Sequence, residues 1–294
     1  MKPAPFVHHA PRTVDETVAV LADVGHDGKV LAGGQSLVPL LNMRLASPGH
    51  LVDVNGVDGL DAVDVTDASV RVGALVRHAG LERDPAAFAA LPLLRQALRN
   101  VAHPAIRNRG TTVGSIAHAD PAGEMPAVLV LTDGVVEVVS SRSRREVAAR
   151  DFFLGPLETT LAQDELVEAV RFARLAPGTR TAFLESARRH GDYAMAGVAV
   201  AVEVVDGEVR SARASFVSVT PVPTVLDLAP ALGGAATGAP LRAAVADDLV
   251  ALVRDHVEPE GDIHATAGYR RMLAAELTKR ALGAALAEDA EGAA

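Results

Sequence analysis

Residues 29–45 read KVLAGGQSLVPLLNMRL and combine an apolar run with a glycine pair. Residues 29–32 form a short apolar run typical of a strand, and the run leads directly into Gly33 and Gly34. Glycine lets a backbone approach a ligand closely, and a loop of exposed amides suits a phosphate. A glycine pair after a strand is also common in ordinary turns. The stretch therefore predicts a strand followed by either a simple turn or a phosphate-binding loop.

A second polar glycine loop, RNRGTTVGS, occupies residues 107–115, about 75 residues after the first. It offers backbone donors and hydroxyl groups, and Arg107 and Arg109 supply positive charge for a phosphate-bearing ligand. Two such loops could clamp a pyrophosphate from both sides, although a purely structural role remains open. The sequences GxGxxG and GxxxxGK[ST] are absent, so neither a nicotinamide Rossmann site nor a nucleoside triphosphatase is supported.

The remaining patterns predict alternating helices and strands. Thr13 and Glu16 have the spacing of a capping box, which predicts a helix that ends within residues 25–28. Strands are expected over residues 51–54, 62–65, 69–73 and 134–139, and helices over 85–101 and 124–131. A pause at residues 174–179 predicts a domain boundary. Beyond it we expect a strand (181–186), an apolar helix (194–205), a strand (209–219), a loop to residue 240 and a C-terminal helix whose apolar stripe contains Tyr269, Met272, Leu273, Leu277 and Leu282.

Composition limits the possible functions. The 294 residues are 49% hydrophobic and 22% charged, which predicts a soluble globular protein with room for two domains. The formal net charge of −9 comes without a basic block, which argues against an extended nucleic-acid surface. The longest apolar stretch, residues 194–202, is far shorter than the ~20 residues of a membrane span, and no signal peptide is visible. We therefore expect a cytoplasmic protein without a membrane span.

The chain contains no cysteine, which excludes disulfides, thiolate-held zinc and an iron–sulfur cluster ligated by these residues. No other cluster has metal-ligand spacing, so no metal site is predicted. Redox chemistry on this chain would need a bound organic cofactor.

Three ordered segments resemble a known family. They are residues 31–45, followed by Pro48 and residues 51–53; residues 110–124, GTTVGSIAHADPAGE; and residues 187–197, ARRHGDYAMAG. These segments resemble the FAD motifs in medium subunits of molybdenum hydroxylases. That family includes the flavoprotein subunit of aerobic carbon monoxide dehydrogenase and the FAD subunits of split xanthine, nicotine and aromatic-acid dehydrogenases. The resemblance covers nearly the whole chain.

The resemblance implies an α+β fold in two domains. Residues 1–175 would form a two-lobed FAD-binding domain of the vanillyl-alcohol-oxidase type, with lobes of about 1–55 and 56–175. Residues 176–294 would form a small C-terminal α+β domain with an antiparallel sheet. The flavin would lie in the cleft between the two lobes and the C-terminal domain.

The resemblance also implies binding residues. The pyrophosphate would contact Ala32, Gly33, Gly34, Gln35 and Ser36 together with Thr111, Thr112, Val113, Gly114 and Ser115. Many relatives have two glycines where this chain has Val113 and Gly114. Asp120 and Glu124 would contact ribose or ribityl hydroxyls, although Asp120 followed by Pro121 also resembles a helix N-cap. Tyr193 would cover the isoalloxazine ring, and its alternative role is that of a core aromatic residue beside Ala194 and Ala196.

The function implied is that of an electron-transfer flavoprotein subunit. An iron–sulfur small subunit and a molybdenum-cofactor large subunit would be its partners, in a dimer of heterotrimers. FAD would pass electrons to an external acceptor, and no catalytic acid or base is assigned to this chain. A stand-alone FAD oxidoreductase with its own substrate site and a cofactor-free assembly module are the alternatives. The absence of cysteine fits a split enzyme whose cluster ligands lie in another polypeptide.

Overall fold

The computed structural model describes residues 2–232 and 243–287. Its strands are β1 (Val7–His9), β2 (Gly28–Leu31), β3 (His50–Asp53), β4 (Val63–Val65), β5 (Ser69–Gly73), β6 (Val135–Val139), β7 (Arg144–Ala148), β8 (Phe153–Gly155), β9 (Glu158–Thr159), β10 (Leu166–Ala173), β11 (Thr179–Ala187), β12 (Ala194–Val205), β13 (Glu208–Val217) and β14 (Val225–Asp227). Its helices are α1 (Val14–Val24), α2 (Leu37–Met43), α3 (His78–Arg83), α4 (Pro85–Ala90), α5 (Pro92–Leu98), α6 (Pro104–Arg107), α7 (Thr112–His118), α8 (Glu124–Leu131), α9 (Ala149–Phe152), α10 (Ala229–Leu232), α11 (Ala243–His256) and α12 (Ala267–Ala287).

Three main sheets follow one another along the chain. The first is parallel, with strand order β1-β3-β2. The second is antiparallel, with strand order β4-β5-β10-β6-β7. The third is also antiparallel, with order β11-β12-β13-β14, and β8 and β9 form a separate short pair. The predicted strands over residues 51–54, 62–65, 69–73 and 134–139 are confirmed within a residue or so as β3, β4, β5 and β6.

Helix α1 forms as its capping pattern predicts. The Thr13 hydroxyl accepts the Glu16 N–H at 3.1 Å, and the Glu16 carboxylate accepts the Arg12 N–H at 2.7 Å. Gly25 ends the helix at φ +54°, where a side chain would be strained. The short turn that follows places β2 beside β3, and β2 ends at the first glycine loop.

The predicted helix over residues 85–101 is two helices. Leu91 leaves the helical conformation before Pro92, because a residue that precedes proline is driven toward an extended backbone. Among the large apolar residues of this segment, Leu91, Leu94 and Leu98 are buried, whereas Phe88 is 38% exposed and lies under the Arg95 guanidinium. The helix predicted over residues 124–131 is confirmed as α8.

The prediction of an apolar helix over residues 194–205 is wrong, because this segment is the strand β12. Its valines alternate with small residues, and both faces are covered. Val198, Val200 and Val202 pack in a C-terminal core against α11 and α12, whereas Ala199 and Ala201 join the larger core of the N-terminal part. A strand buried on both faces shows no alternation of polar and apolar residues, which is the usual signature of a strand.

The C-terminal helix is confirmed as α12, but its buried face differs from the predicted stripe. Tyr269 is 44% exposed and Met272 is 39% exposed. The buried positions are Arg270, Ala274, Ala275, Leu277, Thr278, Ala281, Leu282, Ala285 and Leu286. The loop predicted to residue 240 contains β14 and α10 and then passes outside the described residues, as does the tail after residue 287. Among the helices described, none has the length and apolar character to cross a membrane.

Candidate cofactor-binding site

In the first glycine loop, three consecutive backbone amides have no partner among the residues that the structure describes. Gly34 adopts a left-handed conformation, φ +73°, which glycine tolerates easily. The Gln35 side-chain amide donates to the Gly33 carbonyl oxygen at 2.9 Å and holds the turn. Within the described part of the chain, no acceptor takes the backbone amides of Gly34, Gln35 or Ser36. A run of such amides before a helix suits an anionic oxygen.

The second predicted loop is shorter than the sequence pattern suggests. Residues 112–115 form the first turn of α7, so the prediction of a loop through Ser115 is wrong for this half. Thr111 caps the helix, because its hydroxyl oxygen accepts the Gly114 N–H at 3.0 Å. A Cβ on Gly114 would lie 2.5 Å from that oxygen, so the cap requires glycine here.

The side chains at the start of α7 point inward. Thr111, Thr112 and Val113 are 2%, 0% and 2% exposed. The Thr112 hydroxyl lies 3.2 Å from Nδ1 of His78, and Val113 packs in the larger core. The threonine hydroxyls are therefore engaged within the protein. In residues 112–115 the Val113 amide is the one backbone donor for which no described group provides an acceptor.

The two glycine loops are in direct backbone contact. A Cβ on Gly33 would lie 2.5 Å from the carbonyl oxygen of Arg109 and 2.7 Å from Cα of Gly110. No side chain can be placed there unless the loops separate. The structure thus brings the two loops together, as their repeated chemistry predicts, and it explains why a glycine stands at position 33.

Arg107 does not face the loops. Its Nε donates to the Glu82 carboxylate at 2.9 Å, and one Nη donates to the carbonyl oxygens of Val101 and Ala102 at 3.0 and 3.1 Å. Its side chain is only 11% exposed. The expectation that Arg107 supplies charge to a bound phosphate is therefore wrong, whereas Arg109 is exposed beside Gly110.

His78 is a buried residue that the sequence patterns did not single out. Its backbone amide donates to the Gly110 carbonyl oxygen at 3.0 Å, and a Cβ on Gly110 would lie 3.0 Å from its ring. Burial, helped by the nearby charge of Arg107, lowers the pKa of His78 to about 4. The ring is therefore neutral near pH 7, and it packs against Gly110 of the second loop. No motif surrounds His78, so only the packing identifies it.

Tyr193 is exposed at a turn that packs on the N-terminal part of the chain. The side chain is 71% exposed, so its alternative role as a core aromatic residue is excluded. Gly191, at φ +88°, precedes it, and a Cβ there would lie 2.5 Å from the ring of His103. Although most of the side chain is exposed, partial desolvation and the carboxylates of Asp120 and Glu124 raise the pKa of the Tyr193 hydroxyl. The third motif therefore lies beside the second.

Asp120 does not cap the following helix, because α8 begins at Glu124 with Gly123 as its N-cap. The Asp120 carboxylate instead accepts the Ala122 N–H at 2.9 Å and forms a local turn. The expectation of an N-cap at Asp120 is wrong.

Glu124 and Glu185 form an acidic pair beside this turn. Burial, together with the charge of Asp120, raises the pKa of Glu124 to about 7. Glu185 on β11 was not identified from the sequence. Burial and the charge of Glu124 raise its pKa to about 8, and its Oε2 has no hydrogen-bond partner among the described residues. A buried oxygen without a partner is a natural position for a ligand hydrogen bond.

Comparisons with known proteins identify the family. Residues 4–174 match the family model for the FAD binding domain in molybdopterin dehydrogenase, and residues 181–285 match the model for the CO dehydrogenase flavoprotein C-terminal domain. The chain is 38% identical to the nicotine 6-hydroxylase medium subunit of Paenarthrobacter nicotinovorans, over 95% of this chain and 96% of that protein. It is 36% identical to the carbon monoxide dehydrogenase medium chain of Hydrogenophaga pseudoflava, over 98% of this chain and 99% of that one.

Solved structures confirm the α+β fold expected from the resemblance. Carbon monoxide dehydrogenase from Hydrogenophaga pseudoflava contains a chain that superimposes with a TM-score of 0.89 at 35% identity, covering 97% of this chain and 98% of that chain. Quinoline 2-oxidoreductase from Pseudomonas putida 86 gives a TM-score of 0.90 at 34% identity, covering 99% of both chains. The protein therefore belongs to the FAD-binding medium subunits of molybdenum hydroxylases, an oxidoreductase family that includes the carbon monoxide dehydrogenase medium chain.

Proposed function

We propose that this chain accepts electrons from an iron–sulfur partner subunit and passes them through FAD to an external acceptor. The observation that carries the proposal is the contact between the two glycine loops, which borders the unpaired amides of Gly34, Gln35 and Ser36. FAD supplies the redox chemistry when bound. The residues of this chain bind the cofactor, orient it and surround it with fixed charges.

The pyrophosphate lies, in this proposal, against the backbone of Ala32, Gly33, Gly34, Gln35 and Ser36 and the backbone of Thr111, Thr112, Val113, Gly114 and Ser115. The buried threonine hydroxyls support the loop from within, so α7 contributes mainly through its Val113 amide and through Gly114. The Asp120 and Glu124 carboxyl groups accept hydrogen bonds from ribose or ribityl hydroxyls, and the exposed Tyr193 ring covers the isoalloxazine. Residues 1–175 form the two-lobed FAD domain, and residues 176–294 form the C-terminal domain.

The partners in this proposal are an iron–sulfur small subunit and a molybdenum-cofactor large subunit, assembled as a dimer of heterotrimers. The relatives named above are medium subunits or medium chains, which supports a multi-subunit complex. The 294 residues contain no cysteine, which supports a cluster held by another polypeptide.

Purification of the affinity-tagged chain from the cells that make it tests this function. We expect equimolar recovery of two further polypeptides, with iron, molybdenum and FAD in the complex. Anaerobic titration with dithionite should reduce both the iron–sulfur centres and the flavin. A chain recovered alone that oxidises an organic substrate without iron or molybdenum would contradict the proposal in favour of a stand-alone oxidoreductase. A colourless chain that does not take up added FAD would instead favour an assembly module.

A further inference from the structure

Asn55 and Arg77 connect the two glycine loops through side-chain hydrogen bonds. The Asn55 side-chain amide donates to the Ala32 carbonyl oxygen at 2.8 Å. Its Oδ1 accepts a hydrogen bond from one Nη of Arg77 at 2.6 Å, and the other Nη donates to the Arg109 carbonyl oxygen at 2.5 Å. We call this series of contacts the Asn55–Arg77 bridge. It joins the Ala32 carbonyl, just before Gly33, to the Arg109 carbonyl within the second loop.

The bridge is fixed at both ends by the local fold. Asn55 follows β3, and Asp53 holds it by accepting its backbone amide at 2.9 Å and its side-chain amide at 2.6 Å. Arg77 is half-buried and pairs through its backbone with Thr111. Burial and the charge of Arg109 lower the pKa of Arg77, and Asp53 opposes this effect. The hydrogen bonds from Arg77 to Asn55 and to the Arg109 carbonyl oxygen offset the free-energy cost of holding this cation in a half-buried position.

The position of the bridge gives it more than a local structural role. The Arg109 carbonyl oxygen held by Arg77 is the same atom that a Cβ on Gly33 would approach to 2.5 Å. The point where the loops touch is therefore the point that the guanidinium fixes. A planar guanidinium can donate to two separate acceptors at once, whereas an ammonium group is a compact point charge.

We propose that Asn55 and Arg77 are positioning residues that set the spacing of the two glycine loops and, through it, the affinity for the pyrophosphate of FAD. This inference rests on the proposed location of the pyrophosphate. Neither residue lies in any of the three FAD motifs.

FAD titration of the full-length chain stripped of flavin tests the bridge. We expect Arg77→Leu and Asn55→Leu each to raise the dissociation constant for FAD about 10- to 100-fold, because each breaks charge-assisted hydrogen bonds in series. The double variant should be no weaker than the weaker single variant, since either change already breaks the bridge. Arg77→Lys should give an intermediate affinity. Affinity for FMN, which lacks the pyrophosphate, should change less.

Arg12→Leu is the matched control. Arg12 lines the same cavity of about 770 Å³ as Asn55 and Arg77, but none of the side-chain hydrogen bonds that form the bridge involves it. Its removal changes the charge of the cavity and should leave FAD affinity within about twofold of the wild type. An equal loss of FAD affinity in Arg12→Leu and Arg77→Leu would show that only the charge of the cavity matters. That result would overturn the proposed role of the bridge.

The remaining outcomes separate the bridge from the proposed site. If the wild-type chain binds no FAD, the proposed function fails. If the wild type binds FAD, and if the Arg77→Leu and Asn55→Leu variants bind it with the same affinity, the proposed role of the bridge is wrong. Equal losses for FAD and FMN, together with a matching fall in unfolding free energy, would indicate a general folding defect and would also overturn it. Should Arg77→Leu not fold, Asn55→Leu decides, because it leaves the half-buried cation in place.

Discussion

At the scale of single residues, the half-buried pair Glu124 and Glu185 gives the chain a defined pH response. Burial is the main cause that raises the pKa of Glu124 to about 7 and that of Glu185 to about 8. The charge of Asp120 also raises the pKa of Glu124, and the charge of Glu124 raises that of Glu185. In the unfolded chain both groups return to their ordinary value near 4.5. Between about pH 5 and 8 the folded protein therefore holds protons that the unfolded chain has released.

The raised pKa values set the direction in which the unfolding free energy changes with pH. The unfolding free energy of the FAD-free chain should fall as pH rises from 5.5 to 8, by at most about 1.4 kcal/mol per pH unit for each proton involved. Glu185→Gln should flatten this decline and stabilise the chain at pH 8. Chemical denaturation of the wild type and of Glu185→Gln at pH 5.5 and pH 8 measures this change in unfolding free energy. Glu208→Gln, at an exposed position, is the control. A pH slope that Glu185→Gln leaves unchanged would show that Glu185 is ionised in the folded chain.

Residues of this kind differ in how far the sequence reveals them. Gly33, Gly34 and Glu124 lie in recognisable motifs, so their place near the site could be predicted. Glu185 and Arg77 occur in unremarkable segments, and their importance arises only when α8 packs near β11 and when the second loop meets the first. Interactions between residues far apart in the chain leave no local pattern.

At the scale of elements, β12 shows how burial on two sides hides a strand. Helix α8 is also apolar after its first residue, Glu124, and its prediction was correct, so a continuous apolar run does not distinguish the two types. What differs is the content of β-branched residues: Val198, Val200, Val202 and Val204 alternate in β12. Greater weight on this alternation would have identified the strand.

Substitution of Val200 tests how the centre of β12 packs in the C-terminal core. The side chain is fully buried in the C-terminal core, and Val200→Ala should lower the unfolding free energy by about 2 kcal/mol because it leaves a cavity. Val205→Ala, at the 39% exposed end of the same strand, should change it by less than about 0.5 kcal/mol. Urea denaturation of both variants provides the comparison. Equal effects would mean that the centre of β12 is not packed as described.

At the scale of the whole molecule, the candidate site brings together three segments that are distant in sequence. The contact of Gly33 with Arg109 joins the first two, and the packing of Gly191 on His103 places the third beside them. The chemistry of each segment could be predicted from its residues, whereas the inward direction of Thr111 and Thr112 and the engagement of Arg107 required the packed core. Membership of the family identifies the cofactor as FAD, and the backbone contact between Gly33 and Arg109 explains why position 33 is glycine.

FAD titration of the purified full-length chain and its Gly34→Val variant tests the central claim most directly. The wild type should bind one FAD per chain. Gly34→Val places a β-branched side chain at φ +73° among the free amides, so FAD binding should be lost while the far-ultraviolet circular dichroism is retained. Gly80→Ala, where an added Cβ meets nothing within 4 Å, should bind like the wild type. Unaltered FAD affinity in Gly34→Val would show that the pyrophosphate lies elsewhere and would contradict the account.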